Sequence, residues 1–179
     1  MLSPTKPKGK KMGLDNIPKN YPCKSKGTAV MVRRLDKDGQ PIRGQDGEFV
    51  ESISCEETAN RNACPYQTAV KASGMTEGAV YGMFGTPCWY RGKWGNYLID
   101  ALDGSEGEYD FYGDNEVGTE KSPESCRATA NYMEELLNDK IQDSPEFIVN
   151  GEDLIPQIRY AIWWLRWTAD EADGSTCWY

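Results

Sequence analysis

Residues 74–102 read GMTEGAVYGMFGTPCWYRGKWGNYLIDAL. Two of the six tryptophans, Trp89 and Trp94, fall here together with Tyr81, Tyr90 and Tyr97, on a backbone punctuated by glycine. Residues 79–84, 88–91 and 96–102 read as strands. The intervening Gly92-Lys93-Trp94-Gly95, with glycine at both ends, reads as a hairpin connection. On alternating strand positions Trp89 and Arg91 share one face and Tyr90 takes the other. Rings on such a backbone have two uses: they plug the middle of a small sheet, or they stack on a flat ligand.

Upstream, residues 28–35 and 49–54 are rich in β-branched residues or alternate apolar with polar, and read as strands. Asp36-Lys37-Asp38-Gly39 and Gln45-Asp46-Gly47 are turns between them. Residues 55–62 suit a short helical turn, and 65–73 a short helix closed by Gly74. Pro18 and Pro22 leave residues 13–27 irregular. Residues 1–12, MLSPTKPKGKKM, form a basic arm with no apolar periodicity and are expected to be disordered.

Downstream, Asp100, Asp103, Glu106, Glu108, Asp110, Asp114 and Glu116 follow one another without a basic residue. This run reads as a solvated loop with an edge strand near 108–112. Two helices close the chain. Ser122 is an N-cap with Pro123 behind it, and Cys126, Ala130, Met133, Leu137 and Ile141 then fall on one face. The second helix, about 154–172, carries one stripe of Leu154, Ile158, Ala161, Leu165 and Ala169. A band of Tyr160, Trp163, Trp164 and Trp167 runs beside it, which suits a helix wedged between layers. Cys177-Trp178-Tyr179 is expected to pack back onto the body. The architecture that follows is α+β: a mostly antiparallel sheet of about five strands with two C-terminal helices packed on one face. Residues 13–179 are read as a single domain following the 1–12 arm.

Composition excludes several functions. The chain has 28 acidic against 20 basic residues, a net charge of −8, which disfavours nucleic acid as partner. There is no histidine among the 179 residues. Ser–His and Cys–His nucleophile pairs and every histidine-containing metal site are therefore absent. The six cysteines show no C-x-x-C spacing. Three or four of them could meet on a zinc ion in space, but spacing does not select this, and no cofactor and no metal is assigned. No apolar run is long enough to span a bilayer and no secretory signal is visible, so a cytoplasmic protein without membrane contact is expected.

The function expected from these residues is non-catalytic binding of a small planar, phosphate-bearing ligand of nucleotide type, as in sequestration of a signal molecule. The expected ligand residues are Tyr81, Phe84, Trp89, Tyr90, Arg91, Lys93, Trp94 and Asn96. Trp89, Tyr90 and Trp94 would stack on the ring, Arg91 and Lys93 would hold phosphate, and Asn96 would read a ring edge. One alternative is an acidic protein–protein interaction or inhibitor module with a basic partner, using 100–116. Another is a carboxylate- or metal-dependent hydrolase built on Asp100 with Asp103 or Glu106 with Glu108. A homo-oligomer is compatible with all three.

Overall fold

The computed structural model describes residues 15–75, 81–83, 86–104, 109–113, 120–142 and 144–178. The expected arm at 1–12 lies outside them. In chain order the elements begin with β1 (Asp15–Pro18), α1 (Pro22–Ser25), β2 (Val30–Arg33) and β3 (Glu51–Ser54). Next come α2 (Cys55–Asn60), α3 (Pro65–Ser73), β4 (Tyr81–Met83), β5 (Thr86–Tyr90), α4 (Gly92–Asp103) and β6 (Glu120–Lys121). The chain closes with α5 (Pro123–Ile141), β7 (Ile148–Val149), β8 (Glu152–Asp153), α6 (Ile155–Glu171) and β9 (Ser175–Trp178).

The fold is α+β with an antiparallel five-stranded sheet in the order β4-β5-β1-β9-β6. Its membership differs from the sequence reading. The centre is β1, read as irregular chain, paired along its length with β9, read as a returning tail: Asp15 faces Trp178 and Pro18 faces Ser175. The Asp-Asn-Ile-Pro sequence has little strand propensity. Tertiary hydrogen bonds supply what propensity does not. Asn16 is fully buried and its amide donates to the carbonyls of Phe111 (2.7 Å) and Tyr112 (3.2 Å). That clamps residues 109–113 onto the sheet. Those residues are not part of any strand, so the edge strand expected near 108–112 is not formed over its described part.

The strands expected at 28–35 and 49–54 exist, but they stand apart from the main sheet. β2 and β3 pair with each other, Val30 opposite Ser54 and Arg33 opposite Glu51. Further bridges, Leu35 to Pro41 and Arg43 to Phe49, extend the pair into a solvent-exposed β-arm. Its one aromatic ring, Phe49, sits between the guanidinium groups of Arg33 (4.1 Å) and Arg43 (3.9 Å). The arm's foot is tied by hydrogen bonds. Buried Thr58 accepts from Val30 N (2.9 Å) and donates to Ser54 O (2.7 Å), while Thr28 N and Ala29 N donate to Cys23 O.

The hairpin at 92–95 and the strand at 96–102 are corrected: both lie within helix α4. Gly95, Leu98, Ile99 and Leu102 fall on one buried helical face. Gly95 serves close packing, since a Cβ there would fall inside 3.0 Å of three ring carbons of Phe111. The helix ends where Gly104 adopts φ 73°.

α5 and α6 follow the expected pattern. Ser122 Oγ caps α5 by accepting from Ser125 N (3.1 Å), and Cys126, Ala130, Met133 and Leu137 are buried. α6 is buried on most of its surface because α5 covers one side and the sheet and α4 the other. Trp164 is its centrepiece, fully buried, with its indole N–H donating to Cys88 O at 2.9 Å and its ring beside Tyr90 and Phe111. Arg166 ties the two helices by a forked contact to Glu134 (2.6 and 3.1 Å) and a bond to Asn131 (2.9 Å). Among the described residues no helix is long and apolar enough to cross a membrane.

Candidate functional site

The sequence-expected ligand residues do not gather on one open face. Phe84 and the side chain of Tyr81 lie outside the described residues. Tyr90 is 0% exposed and stacks between Phe111 (4.8 Å) and Tyr160 (5.9 Å) in the aromatic core. Trp89 donates its indole N–H to Tyr21 Oη at 2.8 Å. Burial pushes the Tyr21 phenol up to about 12, only partly offset by that bond. Asn96 is occupied as the acceptor for Phe111 N (2.5 Å). Trp94 stacks on Tyr97 (4.8 Å), and its buried indole nitrogen has no hydrogen-bond partner among the described residues. Arg91 and Lys93 are exposed, and both pull down on the carboxyl of Asp15, which burial raises above its ordinary range. Their charge thus faces a nearly buried acid in β1.

The expected carboxylate pairs are equally dispersed. Asp103 accepts from Tyr132 Oη (3.1 Å), and Asp110 caps its own turn through Tyr112 N and Gly113 N. Glu106, Glu108, Asp114 and Glu116 lie outside the described residues. Among the described residues no group of three or more cysteine, aspartate or glutamate side chains is placed to hold a metal ion.

Two concavities meet at the foot of the β-arm. One is a groove of about 400 Å³ between α3, α6 and the chain after α1. Its wall is Pro65, Ala69, Ala72 and the edge of Trp167; its polar groups are Lys26, Thr28, Asn62, Thr68 and Glu171. Lys26 Nζ stands 2.6 Å from Glu171 across the rim, both half-exposed. Trp167 is held in place by an edge-on contact with Tyr66 (4.7 Å), and Tyr66 in turn bonds Tyr160 through the two hydroxyls.

Beneath the groove, sharing Cys64, Pro65 and Trp167 with it, lies a small apolar chamber of about 20 Å³. Four of the six cysteines line it: Cys23 from α1, Cys55 opening α2, Cys64 preceding α3 and Cys88 from β5. Proline-directed geometry brings three of them there: Pro22, Pro65 and Pro87 adjoin Cys23, Cys64 and Cys88 and line the same space. Burial pushes up the thiols of Cys23, Cys55 and Cys88, and the mutual proximity of the four raises these further. Opposing this, hydrogen bonds to sulfur come from the backbone at Lys24 to Cys23 and from the Thr86 hydroxyl to Cys55. The other two cysteines are elsewhere: Cys126 lies beside Ser175 and Thr168, and Cys177 donates to Tyr112 O. The four-fold convergence is invisible in the spacing because it joins segments that only the tertiary fold brings together. The prolines beside three cysteines were its one local signal.

No protein-family model, no curated protein and no solved structure matches this chain.

Proposed function

We propose that the chain is a non-catalytic binding protein and that the groove at the foot of the β-arm captures a small planar, phosphate-bearing ligand of nucleotide type. The groove carries this reading. Its volume of about 400 Å³ falls in the ~300–1,000 Å³ range of small-molecule sites. An apolar wall of proline, alanine and tryptophan suits a flat ring, and Lys26 at the rim suits an anionic group. Lys26 is held by Glu171 through a half-exposed ion pair, which is worth only ~0–1 kcal/mol and yields readily to phosphate. The hydroxyls of Thr28 and Thr68 and the amide of Asn62 offer further hydrogen bonds along the same wall. The chain has no histidine, so Ser–His and Cys–His nucleophile pairs are unavailable at the groove, and capture without turnover is the reading adopted.

Calorimetric titration with nucleoside mono- and diphosphates, paired with native mass spectrometry, tests the reading. Wild type forms a one-to-one complex, and Lys26→Ala weakens it about tenfold, the loss of one charge-assisted hydrogen bond of ~1.5 kcal/mol. Absence of binding by wild type across the series, or unchanged affinity in Lys26→Ala, would sink it. A second reading, a protein-interaction module, is favoured by the exposed Met31 (44%), Val32 (38%) and Leu35 (57%) on the β-arm. It predicts that the arm, not the groove, is protected from hydrogen exchange by the partner.

A further inference from the structure

We propose that the β-arm is a dimerisation element: the open edge of β2 pairs, antiparallel and about a two-fold axis at Val32, with the same edge of a second copy of this chain. The proposal is independent of what the neighbouring groove binds.

Three observations support it. The first is an edge with nothing to discourage pairing. Arg34 N donates to Val50 O at 2.8 Å. Bonded pairs recur at every second residue of an antiparallel ladder, so Val32 bonds Ser52 while the main-chain groups of Met31 and Arg33 turn outward. Every residue from 31 to 41 is exposed, whereas residues 52–54 of β3 are half-covered. Strand edges are ordinarily blunted by proline, by bulges or by brevity. The main sheet follows that rule, with edge strands β4 of three residues and β6 of two. β2 has no proline and keeps a regular register over all four of its residues.

The second is the marginal state of the arm by itself. A two-stranded ribbon in water is barely stable, and three or more strands are needed before a sheet stands alone. Along residues 30–33 and 51–54 the arm has no third strand. Pairing β2 with its own copy makes a continuous four-stranded sheet.

The third is self-complementarity. With Val32 opposite its own copy, Met31 comes opposite the partner's Arg33, and Val30 opposite the partner's Arg34. No two like charges are opposed, and the aliphatic stems of the arginines cover the apolar side chains across from them. Antiparallel pairing also carries the turn Asp36-Lys37-Asp38, acidic on balance and exposed, toward the foot of the other arm, where Lys24 and Lys26 are exposed. The two-fold axis makes that match twice, whereas parallel pairing would set like ends together.

Sedimentation velocity and native mass spectrometry on the full chain, across the micromolar range, test the proposal. A monomer–dimer equilibrium is expected, with the amides of Met31 and Arg33 protected from hydrogen exchange in the dimer and losing protection on dilution. Val32→Lys sets two like charges against each other at the axis and weakens the dimer about tenfold or more. Val32→Glu is affected less, because Arg34 lies on the same face of the strand. Mixing the two variants should restore a heterodimer, recognised by its mass. That rescue requires residue 32 to face its own copy, and a folding defect would not produce it. A chain that stays monomeric throughout the range overturns the proposal. So does a dimer in which the Met31 and Arg33 amides exchange freely, or a mixture in which Val32→Lys gains no partner.

Discussion

Replacing Gly95 by alanine sets two effects of opposite sign against each other. Helix propensity favours alanine by up to about 1 kcal/mol in a helix interior. The packing of α4 opposes it. The new methyl group would fall inside 3.0 Å of three ring carbons of Phe111. The ring has nowhere to retreat, being 0% exposed with Tyr90 at 4.8 Å and Trp164 at 5.8 Å. Its backbone is pinned as well, through its N–H to Asn96 (2.5 Å) and its carbonyl to Asn16 (2.7 Å). Overpacking a fixed core costs ~1–3 kcal/mol, sometimes more, and a backbone this constrained places the cost at the upper end. The net expectation is a loss of about 2 kcal/mol, which for a chain of this size lowers Tm by about 4–8 °C. Urea unfolding followed by tryptophan fluorescence measures it, with Trp164 reporting from beside the perturbation. In a Phe111→Leu background the same Gly95→Ala change should cost less or turn stabilising, because the smaller side chain makes room. A Gly95→Ala protein as stable as wild type, or more so, would refute the seating of Phe111 on α4.

Two other perturbations probe different junctions. The Arg166 hydrogen bond holds the Glu134 carboxyl below its ordinary range, so the pair contributes stability that is present above the unfolded-state value near 4.5 and lost as pH falls through the lower folded value. Because both groups are partly exposed, the Glu134→Gln variant should be only ~0.5–1 kcal/mol less stable at neutral pH and should show a flatter acid limb in urea titrations below about pH 4.5; an unchanged acid limb would argue against the pair. Thr58→Val leaves Val30 N without its acceptor at the arm's foot, a local cost of ~1–3 kcal/mol. Hydrogen exchange should then quicken across β2 and β3 while α5 and α6 keep wild-type protection, and uniform quickening would show instead that the arm and the core open together.

Where local chemistry and tertiary demand agree, the sequence is a good guide. Ser122, Pro123 and the apolar face through Leu137 announce α5, and Gly74 closes α3 in the left-handed conformation its position requires. Where they conflict, it misleads. Gly92 and Gly95 look like hairpin punctuation, yet Gly95 is small because an aromatic ring sits against the helix, and only the tertiary structure contains that ring's position. β1 is unreadable because Asp, Asn and Pro are poor strand residues, and Asn16 is there for its side-chain bonds to a distant loop. The aromatic segment misleads for a related reason. Tyr90 and Trp89 have the composition of a stacking platform, but their partners are Phe111, Tyr160, Trp164 and Tyr21, each remote in sequence. The cysteine chamber was hidden likewise, since the cysteines that line it are separated in sequence by an arm, a helix and a strand.

The pairing of β1 with β9 bears on how the protein is made. β9 lies between β1 and β6, so these two strands are joined through residues that follow every described helix in the sequence. A growing chain can assemble α5 against the forming core, but β1 and β6 wait with open edges until residues 175–178 emerge. Contacts this remote along the chain also slow the final step of folding. A chain cut before residue 175 would therefore leave β6 without a partner and β1 paired on one side only, a form that quality-control machinery can recognise by its exposed edges.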